Sequence, residues 1–269
     1  MYEGLIYDVG MHTGKDTEFY LKKGFKVVAI EANPRLVEQV CLRLGQYLAD
    51  GTLTICELAV AGYEGQIEFY MNDKHDDWGT ISKSAASRNE RFGATTTVIK
   101  VKCTQFQGIL RKYGIPYYLK VDIEGADSLC LEALSTFEER PKYISLEVGP
   151  TSFEETFTKL SLLWNLGYRS FKTVNQAANR KVQCQNPPLE GSFVDYRFDG
   201  TSSGPFGEEA PGNWMSIEET VKRFRRLLAE QKHFGPEGTL YKTIFHRTYE
   251  ILRREPVGWY DLHAKLRDR

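Results

Sequence analysis

Near the N-terminus the chain reads Asp8-Val9-Gly10-Met11-His12-Thr13-Gly14-Lys15-Asp16-Thr17, an acid, two glycines and an imidazole between an apolar run and a helical pattern. Glycines at such a junction let the backbone approach a ligand, and ligands of open α/β sheets sit beyond the carboxyl ends of the strands. Spacing narrows the choice. A pyrophosphate site needs G-x-G-x-x-G, whereas Gly10 and Gly14 stand without a central glycine, and G-x-x-x-x-G-K-[ST] is absent as well. The D-x-G-x-x-x-G pattern suits a ligand with an ammonium group and no phosphate, and S-adenosylmethionine is one. Glu31 ends the next apolar run, where a carboxylate can accept hydrogen bonds from both hydroxyls of a ribose; an NAD site uses an acid there too.

A second group could handle protons or a metal. Asp122 and Glu124 close the run Tyr117 to Ile123, their i, i+2 spacing placing both on one side if the strand stays extended, and Glu147 closes the next run. Three carboxylates at one rim could hold a divalent cation, or one could act as general base. Alternatively, Glu124 caps a helix opened at Gly125 and Asp122 orders the loop. His12 in the glycine loop and His263 near the C-terminus are further base candidates. Lys172, Asn175 and Gln176 follow the last clear strand and read as acceptor-binding. Ser203, Phe206 and Trp214 lie in a Gly/Ser/Pro-rich stretch suited to a lid. Trp259 reads as a buried anchor of the terminal segment.

The elements that must position these residues alternate in the first half of the chain. Apolar runs at 4–9, 25–30, 53–60, 98–103, 117–123, 143–148 and 168–174 read as strands, with 66–71 as a hairpin partner of 53–60. Helical patterns cover 15–23, 34–48, 104–113, 125–139 and 153–166, Pro34 fitting a first turn. Residues 72–95 read as a loop. Past Asn175 a stretch rich in Asn, Gly, Pro and Ser runs to 214, broken by a strand-like run at 192–198, and 216–232 and 239–253 look helical. The expected organisation is a domain at 1–199, with a lid loop and C-terminal helical extension of the same domain at 200–269.

Composition bounds the function. With 269 residues, 41% hydrophobic and 26% charged, a sizeable core is expected and global disorder excluded. The net charge of -1 lacks the basic surplus of a general nucleic-acid or anionic-membrane binder, so neither nucleic acid nor membrane insertion is expected. A local excess exists from Ser216 onward, 12 Lys/Arg against 8 Asp/Glu, and reads as a solvated face. No apolar run is long enough to span a bilayer, the N-terminus lacks a secretory pattern, and five scattered cysteines suggest neither disulfides nor a zinc site. A cytoplasmic protein is expected.

The segments DVGMHTGKDTEFYLKKGFKVVAIEANP, LAVAGYEGQIEFY, YYLKVDIEGAD and ISLEVGP, in this order, resemble the FkbM family of S-adenosylmethionine-dependent methyltransferases over residues 5–175. The resemblance implies a Rossmann-like class I methyltransferase sheet, mostly parallel with its last strand antiparallel, and O-methylation of a small molecule, sugar or glycan. It assigns Asp8, Gly10, Gly14 and Thr17 to the cofactor loop, Glu31 to the ribose, Ala32 and Asn33 to the adenosine, and Glu57, Leu58 and Ala59 to the adenine edge. The competing readings are an NAD-dependent oxidoreductase and a non-catalytic S-adenosylmethionine-binding module.

Overall fold

A computed structural model of the chain describes residues 2–73, 79–90, 95–123, 125–148, 152–235, 238–253 and 255–267. Two compact units make up the chain, Met1–Ile144 and Ser145–Arg269. The first contains β1 (Tyr2–Val9), α1 (Lys15–Lys22), β2 (Lys26–Glu31), α2 (Pro34–Arg43), α3 (Gly45–Ala49), β3 (Leu53–Glu57), β4 (Ala59–Val60), β5 (Gly65–Asn72), α4 (Lys83–Glu90), β6 (Thr96–Thr104), α5 (Phe106–Tyr113), β7 (Pro116–Val121) and α6 (Asp127–Leu134). The division runs through β8 (Tyr143–Val148). The second contains α7 (Phe153–Asn165), β9 (Tyr168–Asn175), α8 (Ile217–Phe234), α9 (Ile244–Arg253) and β10 (Tyr260–Leu266).

Seven strands form a mostly parallel sheet, the α/β class expected. In the first unit β3-β2-β1-β7 are neighbours in parallel register, with Asp8 opposite both Ala29 and Lys120. Of these, β1, β2 and β7 read as unbroken apolar runs because they are covered on both faces. Ile6, Tyr7 and Val9 of β1, Val28 to Ile30 of β2 and Tyr118, Leu119 and Val121 of β7 are all buried. Phe19 and Tyr20 of α1, Leu36, Val37 and Val40 of α2, and Phe106 and Leu110 of α5 are buried with them. In the second unit the order is β8-β10-β9, and β10 runs antiparallel to β9, pairing Tyr260 with Asn175 and His263 with Lys172.

Several expectations need correction. The 66–71 run is no hairpin partner of the preceding strand: β6 lies between β4 and β5, parallel to the first and antiparallel to the second. The nine-residue β6, rich in Thr, Val and Ile, offers β5 a full ladder, and two-residue β4 cannot. The expected helix 34–48 breaks at Leu44 before Gly45, giving α2 and α3. Within 72–95, taken as a loop, Lys83–Glu90 is helical, and part of that stretch lies outside the described residues. The run 192–198 forms no strand. The C-terminal extension is not purely helical, because it ends in the sheet strand β10. Trp259, expected as a buried anchor, is half exposed.

The stretch 200–214, expected as a lid, is largely packed into its unit. Ser202 to Gly207 are all buried, Phe206 fully. Its backbone is satisfied internally: Asn179 Nδ2 donates to the Ser202 carbonyl at 2.8 Å, and Glu190 Oε1 accepts the Glu208 N–H at 2.9 Å. A buried loop needs such partners for its polar backbone.

β1 ends where the Asp122 N–H donates to the Val9 carbonyl at 2.8 Å. Gly10 then turns with φ +85°, and a Cβ there would lie 1.8 Å from the Asp122 carbonyl oxygen. Gly51 also has positive φ, +76°, but open space around it. Urea unfolding should therefore separate two costs. Gly51→Ala is expected to lose about 1 kcal/mol for the left-handed backbone alone, and Gly10→Ala at least about 3 kcal/mol because the clash adds to it. Equal losses would mean that the Gly10 contact is not a constraint.

Candidate active site

The carboxyl edge of the first unit carries most of the residues singled out in the sequence. Gly10, His12 and Gly14 all have positive φ, +85°, +52° and +69°, so the loop from β1 to α1 coils left-handed three times in five residues. His12 is the costly one, since it has a side chain. Its conformation brings its backbone N–H to Glu31 Oε2 at 2.8 Å. The other oxygen, Oε1, accepts the Asn33 N–H at 2.8 Å. Asn33 is also the cap of α2, its Oδ1 accepting the Arg35 N–H at 3.1 Å, with Pro34 at the first helical position. Thus the loops after β1 and after β2 both close on one carboxylate.

Glu31 is 8% exposed. Burial lifts its carboxyl above the usual glutamate range, and the amides of Asn33, His12 and Ala32 offset this only in part. Arg43 of α2 fastens the same loop from outside through Glu18 and the Thr13 carbonyl. A Cβ on Gly14 would approach Val40 to 3.0 Å and the Arg43 guanidinium to 3.2 Å, so this glycine serves close helix packing. The Gly10 and Met11 amides donate to the Ile30 carbonyl, at 2.9 and 3.0 Å, and are spent on the fold.

Asp8 was expected to meet the ammonium of a ligand, but both of its oxygens are already engaged inside the protein. Oδ2 accepts the Thr17 hydroxyl at 2.6 Å, and Oδ1 accepts the Lys120 ammonium at 3.0 Å. Lys120 also reaches the Gly10 carbonyl at 3.3 Å, Asp16 at 3.6 Å and Asp122 at 3.8 Å. Burial opposes its charge, yet Asp8, Asp16 and Asp122 outweigh it and hold the ammonium well above the usual lysine range. Neither Lys120 nor Asp16 was recognised in the sequence. A lysine between Leu119 and Val121 in an apolar run was the available signal.

Asp122 lies past the end of β7, so the strand-alternation argument for it does not hold. Its side chain is 32% exposed, far more than Asp8 or Asp16. Desolvation raises its carboxyl above the usual aspartate range while Lys120 pulls it down. Glu124, the second carboxylate of that pair, lies outside the described residues. Nearby, Glu57 ends β3 opposite Glu31, exposed; the Leu58 N–H donates to the Glu31 carbonyl at 3.0 Å. Ala32 and Ala59 join one apolar cluster with Ala61 and Cys103. No group of three or more metal-ligating side chains comes together among the described residues.

The remaining candidates belong to the second unit, where they serve its interior. Lys172 Nζ donates to the carbonyls of Glu208 and Ala210, at 3.2 and 2.6 Å, and lies 4.4 Å from the Trp214 ring. Asn175 Nδ2 donates to the Pro256 carbonyl at 2.8 Å and its Oδ1 accepts the Ala177 N–H. Gln176 donates to Asp261 at 2.6 Å, and Trp214 Nε1 to Glu208 at 2.8 Å. Ser203 and Phe206 are buried in the strap described above. Glu147 is half-buried, its carbonyl accepting Lys159 Nζ at 2.7 Å. His263 is buried within β10; desolvation, aided by Lys172, lowers it to about 3, which leaves a neutral imidazole and a weak base.

The model of the methyltransferase FkbM domain matches residues 8–170. The chain belongs to the FkbM methyltransferase family. No curated protein matches it. An FkbM methyltransferase from Methylobacillus flagellatus KT is similar at 15% identity and a TM-score of 0.40, over 60% of this chain and 37% of that one, so this chain spans well under half of its length. A SAM-dependent methyltransferase from Archaeoglobus fulgidus is similar at 13% identity and a TM-score of 0.36, over 97% and 85%. A protein from Galdieria sulphuraria described as a putative sarcosine dimethylglycine methyltransferase gives 10% and 0.38, over 98% and 78%. Among the described residues of this FkbM-family chain, no helix is long and apolar enough to cross a membrane.

The Lys120 cluster makes a direct test. Lys120→Met should cost about 3–5 kcal/mol, because it strands buried Asp8 and Asp16 without their cation. Adding Asp8→Asn to it should cost less than the sum of the two single changes, a coupling read from a double-mutant cycle of urea melts. Strict additivity would show that the pair does not interact.

Proposed function

We propose that this chain is an S-adenosylmethionine-dependent methyltransferase that transfers its methyl group to a hydroxyl of a small molecule, sugar or glycan. Glu31 carries this reading. Its carboxylate is buried at the carboxyl end of β2, accepts the backbone N–H groups of His12 and Asn33, and retains lone pairs for further donors. That donor-hungry carboxylate fits the vicinal hydroxyls of a ribose, and Ala32, Asn33 and Ala59 beside it fit a nucleoside. The bound cofactor supplies an electrophilic methyl group on a sulfonium sulfur.

The protein's own residues have two tasks. Glu31 and the loop Gly10–Gly14 bind and orient, and orientation of an acceptor oxygen supplies much of the rate of an in-line displacement. Asp122 takes the proton of the acceptor hydroxyl at its carboxylate. Its raised carboxyl makes it a stronger base than an ordinary aspartate, and Lys120 keeps it ionised enough to act.

Titration calorimetry with S-adenosylhomocysteine and NAD tests the cofactor. Glu31→Ala should weaken S-adenosylhomocysteine at least about tenfold while remaining folded, given ~1.5–3 kcal/mol for a charge-assisted hydrogen bond. The ionised carboxylate receives hydroxyl donors better than the protonated one. In wild-type protein, affinity should therefore fall as pH is lowered through the raised Glu31 value, and binding in that window should release protons. Glu31→Gln should bind weakly at every pH without that slope. Unchanged affinity in both variants, or tight NAD binding, would remove the assignment.

Turnover tests the base. Against a panel of hydroxylated acceptors, Asp122→Asn should reduce kcat by about 100-fold or more with little change in S-adenosylhomocysteine affinity, a split expected when a proton-transfer group is lost. Turnover that survives the substitution would leave Asp122 as a loop-ordering residue. Cofactor binding without methyl transfer to any acceptor would favour a binding module.

A further inference from the structure

Away from the carboxyl edge, the three-stranded sheet β4-β6-β5 carries a cleft of about 340 Å³, a volume in the range of small-molecule sites. It arises from the alternation of β5. Ile67 turns inward and joins Ile81 against Ala59, Ala61 and Cys103, whereas Gln66, Glu68 and Tyr70 line the outer side. Tyr63, half exposed, reaches the same space from the turn before β5, and Lys100 reaches it from β6, directly opposite Glu68 in the ladder. None of the cleft's lining residues belongs to the site built on Glu31 and Asp122.

Two of the walls are aromatic and held in place. Tyr70 donates its hydroxyl to Glu68 Oε2 at 3.0 Å, and Tyr63 donates its own to the Gln66 carbonyl at 3.3 Å. Tyrosine rings fixed in this way offer apolar area at little entropic cost. The charges, by contrast, are left apart. Residues directly opposite in an antiparallel pair have Cβ atoms ~4.5–5.5 Å apart, close enough for a salt bridge. Glu68 is turned to Tyr70 instead, and no ion pair joins it to Lys100 among the described residues. The cleft thus presents an acceptor in Glu68, a donor in Lys100, and the Gln66 amide, which is both.

Charge decides the occupant. A cation would meet the Lys100 ammonium, an anion would meet the Glu68 carboxylate, and an apolar ligand would strip water from both without replacing it. A neutral polyol meets none of these costs, because every hydroxyl both donates and accepts. One hydroxyl of a vicinal pair can donate to Glu68 while its neighbour accepts from Lys100, and the C–H face of a pyranose ring then covers the tyrosine rings. We infer that this cleft is a binding site for a neutral saccharide, sharing no residue with the carboxyl edge.

Saturation-transfer difference NMR and titration calorimetry of the whole protein with maltotriose, cellotriose and N-acetylchitotriose test this. No cofactor is present in these titrations, so their outcome is independent of the methyl-transfer reading. At least one of these saccharides is expected to bind. Tyr63→Ala should weaken it roughly tenfold or more, and Lys100→Met and Glu68→Gln about fivefold or more each, all with melting curves like wild type. Glu31→Ala should bind the saccharide as wild type does. The inference is overturned if none of these saccharides binds, if the cleft variants bind like wild type, or if Glu31→Ala loses as much as they do. It is equally overturned if choline, phosphate or adenosine gives the Tyr63-dependent signal in their place.

Discussion

A lysine ammonium buried among three aspartates is the constraint on which the carboxyl edge of the first unit depends. Taking those charges out of water costs several kcal/mol per ion, so the cluster persists only because its geometry is closed. Asp8 and Lys120 are direct partners in the β1–β7 ladder, Asp16 reaches in from α1, and the Gly10 carbonyl completes the shell. Both ends of the left-handed loop are thereby fixed. Gly10 cannot move without driving into the Asp122 carbonyl, and His12 is held in a conformation that aims its amide at Glu31. The strain at His12 is supported by the buried pair one strand away.

This explains what could be read in the sequence and what could not. Strands buried on both faces leave unbroken apolar runs, so β1, β2, β7, β8 and β9 were legible to within a residue or two. Glu31 was legible because a strand end followed by Asn-Pro marks its own position. Lys120 was not, because a lone lysine in an apolar run has the same appearance whether it snorkels to the surface or meets an acid, and only the pairing of β1 with β7 decides. The placement of β6 between β4 and β5 was hidden for the same reason. Adjacency in sequence favours a hairpin, and the competing ladder comes from residues some thirty positions away.

In the second unit, polar residues read as ligand contacts have partners inside the protein that the sequence does not reveal. Gly, Ser and Pro between 200 and 214 suggest mobility when only composition is considered. Burial of that strap exposes a row of carbonyls that need donors, and Lys172 and Asn179 are spent on them. Glu190 and Glu209 accept the matching N–H groups, from Glu208 and from Leu189 and Glu190. Residues that satisfy a buried backbone have the same types as residues that hold a polar substrate, so sequence alone cannot divide them.

Asp8 and Glu31 end successive parallel strands and differ in what neutralises them. Asp8 meets a full cation and a hydroxyl, both from inside the protein. Glu31 meets amides, which donate hydrogen bonds but carry no net charge, so burial still raises it. A carboxylate left in that condition gains from any neutral donor that replaces lost water, and a diol brings two without adding a charge to be desolvated. Asp122, partly open and sharing Lys120 with two buried acids, instead sits where a proton or a positive group is welcome. On the proposed reading the edge thus separates its work by electrostatics: hydroxyl recognition at the end of β2, charge and proton handling at the end of β7, with the glycine loop as the spacer that keeps the two carboxylates from sharing one cation.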